Sequence, residues 1–223
     1  MPEQPHAAAQ RHLSCRDAVL RRLVKLVGPC ALRPQADLFA ALVRAITAQQ
    51  ISIKAATSIF TRLTENACRG TLTPAALARA SDPELRAAGL SALKALSLRQ
   101  LAEQAHTGAL RLDELGGLSD EEVIERLLPL RGVGRWTAQM ILIFSLDRPD
   151  VLPVADFGLR AAARQHYALD ELPGKERLEE LARPWQPYRS IATWYLWRSL
   201  DPSFSNPKNE TRNPKQTRNA NKK

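Results

Sequence analysis

The stretch L-P-L-R-G-V-G-R-W-T-A-Q-M-I-L-I-F-S-L-D-R-P-D-V-L-P-V-A-D-F-G-L-R, residues 128–160, decides the fold. It begins with a turn at residues 132–134, whose two glycines permit positive φ and bring backbone N–H groups to the surface. A helix predicted over 135–146 follows at once, so its first-turn N–H groups and its dipole point the same way. Such a turn favours an anion, and a DNA phosphate is the obvious candidate.

The flanking residues extend this pattern in both directions. Upstream, residues 119–130 start S-D-E-E and predict a capped amphipathic helix, which gives helix, hairpin, helix. Downstream, a Pro-broken loop leads to Asp156, a favoured N-cap for the helix that begins F-G-L-R-A-A-A-R. On spacing alone, an ordinary helical corner and an aspartate that only caps the helix are the favoured interpretations.

The rest of the chain predicts an all-α fold, because no convincing alternating strand pattern occurs. The segment of residues 1–14 is predicted to be disordered. Further helices are predicted over 15–27, from Asp37 to a break near 49–51, from Ser52 onward, near 74–80 and 82–88, over 91–106, and near 157–168, 174–182 and 187–200.

Composition limits the function classes. The net charge of +9 favours a polyanion as partner, although residues 206–223 alone hold +5 of it. These residues lack apolar side chains that could form a core, so a disordered basic tail is predicted over 203–223. No apolar run reaches membrane-spanning length and no signal peptide is evident, so no membrane partner is expected. Three scattered cysteines form neither a disulfide framework nor a C-x₂-C metal site, which fits a reducing cytoplasm.

Four ordered segments together carry a resemblance. They are L-V-R-A-I-T-A-Q-Q-I-S-I-K-A-A (42–56), L-P-L-R-G-V-G-R-W-T-A-Q-M-I (128–141), L-P-V-A-D-F-G-L-R (152–160) and W-Q-P-Y-R-S-I-A-T-W-Y-L-W (185–197). The set resembles the helix–hairpin–helix, Gly/Pro-rich loop, aspartate superfamily of DNA glycosylases, and is most like its bacterial 3-methyladenine DNA glycosylase II group. Four matches in the expected order are far more specific than any one of them.

The resemblance implies two helical lobes with a cleft between them. Residues 15–36 and 146–202 would form a terminal lobe that carries the catalytic aspartate, and residues 37–145 a central lobe with the hairpin. Too few residues precede the matching region for the additional α/β domain of some relatives. The four-cysteine iron–sulfur cluster of other relatives is excluded here because the chain has three cysteines.

The implied activity is base excision repair. A nucleotide with an alkylated purine, of the 3-methyladenine or 7-methylguanine type, would flip out of duplex DNA, and its N-glycosidic bond would be hydrolysed. Asp156 matches the catalytic acid, but Ala155 replaces the acidic neighbour that the family commonly has. Bifunctional relatives carry a Lys nucleophile where this chain has Trp136, so the resemblance implies hydrolysis without lyase activity.

The resemblance also assigns binding residues. Trp136, Met140 and Tyr188 would line the base pocket, where electron-rich rings favour a cationic base; plain core packing is the alternative for the first two. Gln50 would fill the gap left by flipping, with a polar residue at a helix break as the alternative. The remaining tryptophans are expected to lie in the core, namely Trp185, Trp194 and Trp197.

Duplex DNA would be gripped by the residues of the hairpin, namely Gly132, Val133, Gly134 and Arg135, with Arg131 as a further candidate. The backbone carbonyls of Leu128, Leu130 and Val133 match positions that hold a structural Na⁺ or K⁺ in relatives, and no other cofactor is expected. The expected protein is a cytoplasmic, nucleoid-associated monomer. Deaminated or oxidised bases as substrates, a glycosylase with lyase activity, and a non-catalytic DNA-binding module remain alternatives.

Overall fold

The computed structural model describes residues 6–205, and within this range the chain is helical, without a strand, which confirms the all-α prediction. The α-helices are, in chain order, α1 (Ala7–Arg16), α2 (Ala18–Val27), α3 (Leu38–Ala48), α4 (Ile53–Arg62), α5 (Pro74–Arg79), α6 (Asp82–Ala87), α7 (Ala92–Thr107), α8 (Asp120–Leu127), α9 (Arg135–Phe144), α10 (Phe157–His166), α11 (Lys175–Ala182), α12 (Arg189–Ser199) and α13 (Pro202–Ser205). A π-helical turn (Leu63–Ala67) and two 3₁₀ turns (Leu112–Gly117 and Arg183–Trp185) lie among them. Over residues 6–205, no helix has both the length and the apolar character that a membrane crossing needs.

The helices begin where the capping residues predict. The side chains of Asp37, Ser52 and Ser91 each accept a hydrogen bond from a first-turn N–H, at 2.9, 3.2 and 3.3 Å. Ser119 and Glu122 form a reciprocal capping box, in which Ser119 N donates to Glu122 Oε2 at 2.8 Å and Glu122 N donates to Ser119 Oγ at 3.4 Å. Each cap satisfies N–H groups that have no partner inside the helix, and therefore fixes the helix start.

The prediction for the N-terminus is wrong for residues 7–14, which form most of α1. Asp17 separates α1 from α2, and its Oδ1 accepts from the N–H groups of Val19 and Leu20 at 2.8 and 2.9 Å. The segment A-A-A-Q-R-H-L-S-C-R has little apolar periodicity, and its order comes from distant partners. Leu13 is fully buried, and Gln10 donates to the Tyr195 hydroxyl at 2.8 Å.

The chain forms two compact units. Residues 6–31 and 156–205 make the terminal unit, and residues 32–155 make the central unit. These boundaries differ from the predicted lobes, because residues 32–36 and 146–155 belong to the central unit. The predicted disordered tail is wrong for residues 203–205, which are helical, and its remainder, 206–223, lies outside the described residues.

Each unit has its own apolar core. In the central unit, α7 packs against α3, α5 and α6, and the core contains the fully buried Leu42, Leu77, Leu98, Leu127 and Leu142. In the terminal unit, α12 packs against α1, α2 and α10, and the fully buried side chains include Leu20, Leu159, Trp185, Tyr195 and Leu196. The hairpin therefore stands on one core and Asp156 on the other.

Candidate functional site

The hairpin of the central unit joins α8 to α9 through a turn closed by backbone hydrogen bonds. Leu130 N donates to Leu127 O at 3.0 Å, and Val133 N donates to Leu130 O at 2.9 Å. Gly132 lies at φ +83°, a conformation that glycine adopts without steric cost. Val133 is buried beneath the turn, so its side chain anchors the hairpin while the two glycines stay exposed.

The exposed end of α9 is suited to an anion. Its N-cap is Gly134, which has no side chain to accept from the first-turn N–H groups. A Cβ built on Gly134 would meet nothing within 4 Å, so packing does not require glycine there. The absence of a side chain leaves the positive end of a ten-residue helix accessible, and a phosphate is favoured at such an end.

Arg135 follows the hairpin but is already paired. Its Nη1 and Nη2 atoms donate to the two carboxylate oxygens of Glu121 at 2.7 and 2.6 Å. Hydrogen bonding to Glu121 raises the pKa of Arg135, and the same contact lowers the pKa of Glu121. Both side chains are more than half exposed, so solvent screens the attraction between them and Arg135 could exchange Glu121 for a phosphate.

Two residues predicted to contact the flipped base lie on α9. Trp136 is 44% exposed, so the alternative interpretation of this side chain as plain core is wrong. Met140 follows one helical turn later and is half-buried. Between them, the buried Gln139 donates to Leu152 O at 3.3 Å and connects α9 to the loop that precedes Asp156.

Arg148 holds this loop on the central unit. Its Nη2 donates to the carbonyls of Gly116 and Leu118 at 3.0 and 2.7 Å, and its Nε lies 3.5 Å from Asp120 Oδ1. A planar guanidinium with several donors can satisfy such a set of acceptors at once. The loop that leads to Asp156 is thus fixed by side chains as well as by Pro149 and Pro153.

Asp156 is the N-cap of α10 in the terminal unit and is only 9% exposed. Its Oδ1 accepts two hydrogen bonds, one from Leu159 N at 2.6 Å and one from Trp197 Nε1 at 2.7 Å. The first is the predicted cap. The second comes from a tryptophan on α12 that sequence patterning assigned to the core. Two donors on one oxygen fix both the position and the rotation of the carboxylate.

Gly158 makes room for this arrangement. A Cβ at this position would lie 3.3 Å from both Asp156 Oδ1 and Trp197 Cδ1, and 3.4 Å from Trp197 Nε1. These distances are tighter than most real Cβ contacts, so a side chain at this position would require the carboxylate or the indole to shift by a few tenths of an ångström. A glycine two positions after the acid was the sequence signal that another group approaches closely there.

The remaining aromatic residues of the terminal unit divide by environment. Tyr188 is half-buried and precedes α12, with its ring centroid 5.3 Å from that of His12 in an edge-on contact. Trp185 is fully buried, as predicted, and its Nε1 donates to Asp17 Oδ2 at 3.0 Å. Trp194 is only half-buried. Tyr188 is therefore accessible enough to contact a ligand, whereas Trp185 is structural.

The predicted cation ligands lie in the hairpin backbone. Leu130 O accepts the turn hydrogen bond from Val133 N, but a carbonyl oxygen has two lone pairs and retains one for a cation. Residues 6–205 contain no cluster of three or more His, Cys, Asp or Glu side chains that could hold a metal. Carbonyl oxygens are ligands that hard cations accept, so the chemistry of the predicted donors fits Na⁺ or K⁺.

Similarity to known proteins covers most of the chain. A family model described as "HhH-GPD superfamily base excision DNA repair protein" matches residues 43–187. The DNA-3-methyladenine glycosylase 1 of Schizosaccharomyces pombe is 39% identical over 196 residues, covering 86% of this chain and 86% of the yeast protein.

Two solved structures are similar over most of the chain. A Schizosaccharomyces pombe 3-methyladenine DNA glycosylase in complex with abasic DNA aligns with a TM-score of 0.77 at 38% identity, covering 86% of this chain and 96% of that one. A DNA-3-methyladenine glycosidase from Bacillus halodurans aligns with a TM-score of 0.79 at 35% identity, covering 92% and 93%.

Proposed function

The chain belongs to the HhH-GPD superfamily of base excision DNA repair proteins, and we propose that it is a DNA glycosylase that hydrolyses the N-glycosidic bond of alkylated purines. The observation that carries the proposal is the buried carboxylate of Asp156, held by Leu159 N and Trp197 Nε1. Similarity to glycosylases named for 3-methyladenine supports the substrate class.

The reaction needs a fixed negative charge. As the bond between C1′ and the base nitrogen breaks, positive charge develops on the deoxyribose, as in other glycoside hydrolyses. A carboxylate that is already oriented stabilises this charge without reorganisation during the reaction. Asp156 meets this requirement because two donors hold its Oδ1, and it is also the group that would align the attacking water.

Alkylated purines suit a protein with one identifiable acid. 3-Methyladenine and 7-methylguanine carry a positive charge in DNA, so they leave without being protonated first. Trp136, Met140 and Tyr188 are the residues proposed to contact the base, since an electron-rich ring attracts a cationic one. The partial exposure of all three side chains is consistent with this role.

The absence of lyase activity is a further part of the proposal. A lyase needs an amine that forms a Schiff base with the sugar. By the family resemblance, Trp136 stands where bifunctional relatives have that lysine, and Lys94 donates its Nζ protons to two backbone carbonyls. Borohydride should therefore trap no covalent complex between this protein and abasic DNA.

Duplex DNA is the proposed partner, bound by a monomer. The hairpin would hold a phosphate at the start of α9, with Arg135 as an added contact, and Gln50 would fill the gap left by the flipped nucleotide. We also propose that the carbonyls of Leu128, Leu130 and Val133 hold Na⁺ or K⁺. Replacement of these ions by a bulky organic cation should then weaken phosphate binding at the hairpin.

The decisive experiment is analysis of free bases after incubation with methylated DNA, with wild type and Asp156→Asn in parallel. The expected result is release of 3-methyladenine and 7-methylguanine by wild type, and loss of release with retained duplex affinity in the variant. Equal release by both proteins would contradict the role of Asp156. Binding without release by wild type would indicate a non-catalytic DNA-binding module. Release of deaminated or oxidised bases alone would correct the substrate class.

A further inference from the structure

The segment between α3 and α4 has an unusual backbone. α3 ends at Ala48, and Gln50 lies at φ +57°, in the left-handed region, with an exposed side chain. A residue with a Cβ pays roughly 1–2 kcal/mol for this conformation, so surrounding contacts must enforce it. Gln50 is also the residue proposed to fill the gap in the duplex, which makes the contacts that hold it relevant to function.

Lys94 of α7 supplies the first set of contacts. Its Nζ donates to Thr47 O at 2.8 Å and to Gln49 O at 2.7 Å, and burial lowers the pKa of this lysine. Carbonyls at the end of a helix have no partner within the helix, and a cation is favoured beside them. One side chain thus caps α3 and holds the peptide unit immediately before Gln50.

Gln49 supplies the second contact, to the hairpin. Its Nε2 donates to Gly132 O at 2.6 Å. Ser97, one turn after Lys94 on α7, packs against the same glycine, since a Cβ on Gly132 would lie 3.5 Å from Ser97 Oγ. The backbone that precedes Gln50 is therefore hydrogen-bonded to α7. Both α7 and Gln49 also contact the hairpin.

We infer that Lys94 and Gln49 are positioning residues that set the distance and orientation of Gln50 relative to the hairpin. This inference rests on the proposed function. A phosphate held at the hairpin fixes the register of the DNA, and Gln50 can enter the gap left by flipping only if its backbone is held at the matching place. Neither positioning residue needs to touch the DNA.

Three variants separate positioning from charge. Lys94→Met keeps the length of the side chain but removes its donors, whereas Lys94→Arg keeps a cationic donor. Lys54→Met is the matched control, because it removes one positive charge from an exposed site on the adjacent helix α4. The probe is a duplex with a tetrahydrofuran abasic analogue opposite 2-aminopurine, whose fluorescence reports entry of Gln50 beside the orphaned base.

The expected result is that Lys94→Met and Gln50→Ala each lower the fluorescence change at saturating protein by about twofold or more, and base release by about tenfold. Lys94→Arg should restore most of both signals, and Lys54→Met should change neither. In a Gln50→Ala background, Lys94→Met should cause no additional loss, because it acts through Gln50. Additive losses, or a full signal from Lys94→Met, would overturn the inference.

Hydrogen exchange gives a readout that does not depend on activity. In the DNA-free protein, Lys94→Met should increase exchange in peptides that cover 47–52 and 130–134, while the thermal unfolding midpoint stays close to that of wild type. Unchanged exchange would also overturn the inference. Failure of the wild type to release methylated purines would instead overturn the proposed function, so the two failures are distinguishable.

Discussion

Replacement of Trp197 by Phe should slow base release, because it removes one of the two N–H groups that donate to Asp156 Oδ1. The indole Nε1 lies 2.7 Å from that oxygen, and Leu159 N lies 2.6 Å from it. Phe retains an aromatic ring in the same place but cannot donate. The carboxylate would then keep its backbone cap but lose the indole donor, and it could rotate more freely about the Cβ–Cγ bond.

The size of the effect follows from the hydrogen bond that is lost. A hydrogen bond to a charged group contributes roughly 1.5–3 kcal/mol. Each 1.36 kcal/mol in the activation free energy changes a rate by about tenfold, so the full loss would slow release by roughly 10- to 150-fold. Only the part of the interaction that orients Asp156 in the transition state affects the rate, so we expect a decrease of about 10- to 50-fold.

The assay is single-turnover release of 7-methylguanine from a defined duplex, with the protein in excess. Trp194→Phe is the matched control, because Trp194 lies one turn earlier on α12, is half-buried, and contacts the Tyr195 ring edge-on at 5.0 Å. Both substitutions remove the same atoms from one helix. Circular dichroism should show similar thermal unfolding for the two variants, while only Trp197→Phe loses activity.

Two results would refute this reasoning. One is an unchanged rate for Trp197→Phe, which would mean that Leu159 N suffices to orient the carboxylate. The other is an equal loss in Trp194→Phe, which would mean that the effect comes from packing within α12. The double variant with Asp156→Asn adds a further check, because Trp197→Phe should have no additional effect once the carboxylate is absent.

The remaining predictions concern three other positions. Gly158→Ala should reduce the rate of base release by about tenfold or more, because the added Cβ shifts the Asp156 carboxylate. Single-turnover kinetics measures this rate, and a decrease much smaller than tenfold would contradict the prediction. Glu121→Gln should raise affinity for undamaged duplex by up to about fivefold at low salt, because it frees Arg135 for a phosphate. Fluorescence anisotropy across a salt series should then show that the plot of log binding constant against log salt concentration has a slope steeper by about one. Gly132→Ala should lower the free energy of unfolding by about 1–2 kcal/mol, because φ +83° is strained for alanine, and should weaken duplex binding; unchanged urea denaturation would refute this strain.

Local chemistry made much of the fold readable from the sequence. The caps at Asp37, Ser52, Ser91, Ser119 and Asp156 place their helix starts to within a residue, because a cap is an interaction between neighbours in the chain. The hairpin was readable for the same reason, since its glycines and the helix that follows are contiguous. The role of Asp156 came from the family resemblance, because a cap alone implies no chemistry.

The features that the sequence did not reveal depend on distant partners. The weak apolar pattern of α1 predicted disorder. The helix is instead held by contacts such as that between Gln10 and Tyr195, which are 185 residues apart in the sequence. Trp197 had the spacing of a core residue, and only its approach to Asp156, 41 residues earlier, shows what it does. Lys94 lies outside the four segments that carry the resemblance, and its contacts with the end of α3 could not be inferred from spacing.

The charge pattern indicates how the hairpin would recognise DNA. Of the net charge of +9, residues 206–223 hold +5, which leaves +4 for the other 205 residues, and Arg135 is paired with Glu121. Attraction from side chains at the hairpin is therefore modest in the free protein. The end of α9 provides about half a unit charge and directed N–H groups instead, which bind a phosphate at one place without regard to the base attached to it. A glycosylase that examines every sequence for damage needs a contact of this kind, because the backbone is the same at every nucleotide while the lesion is rare.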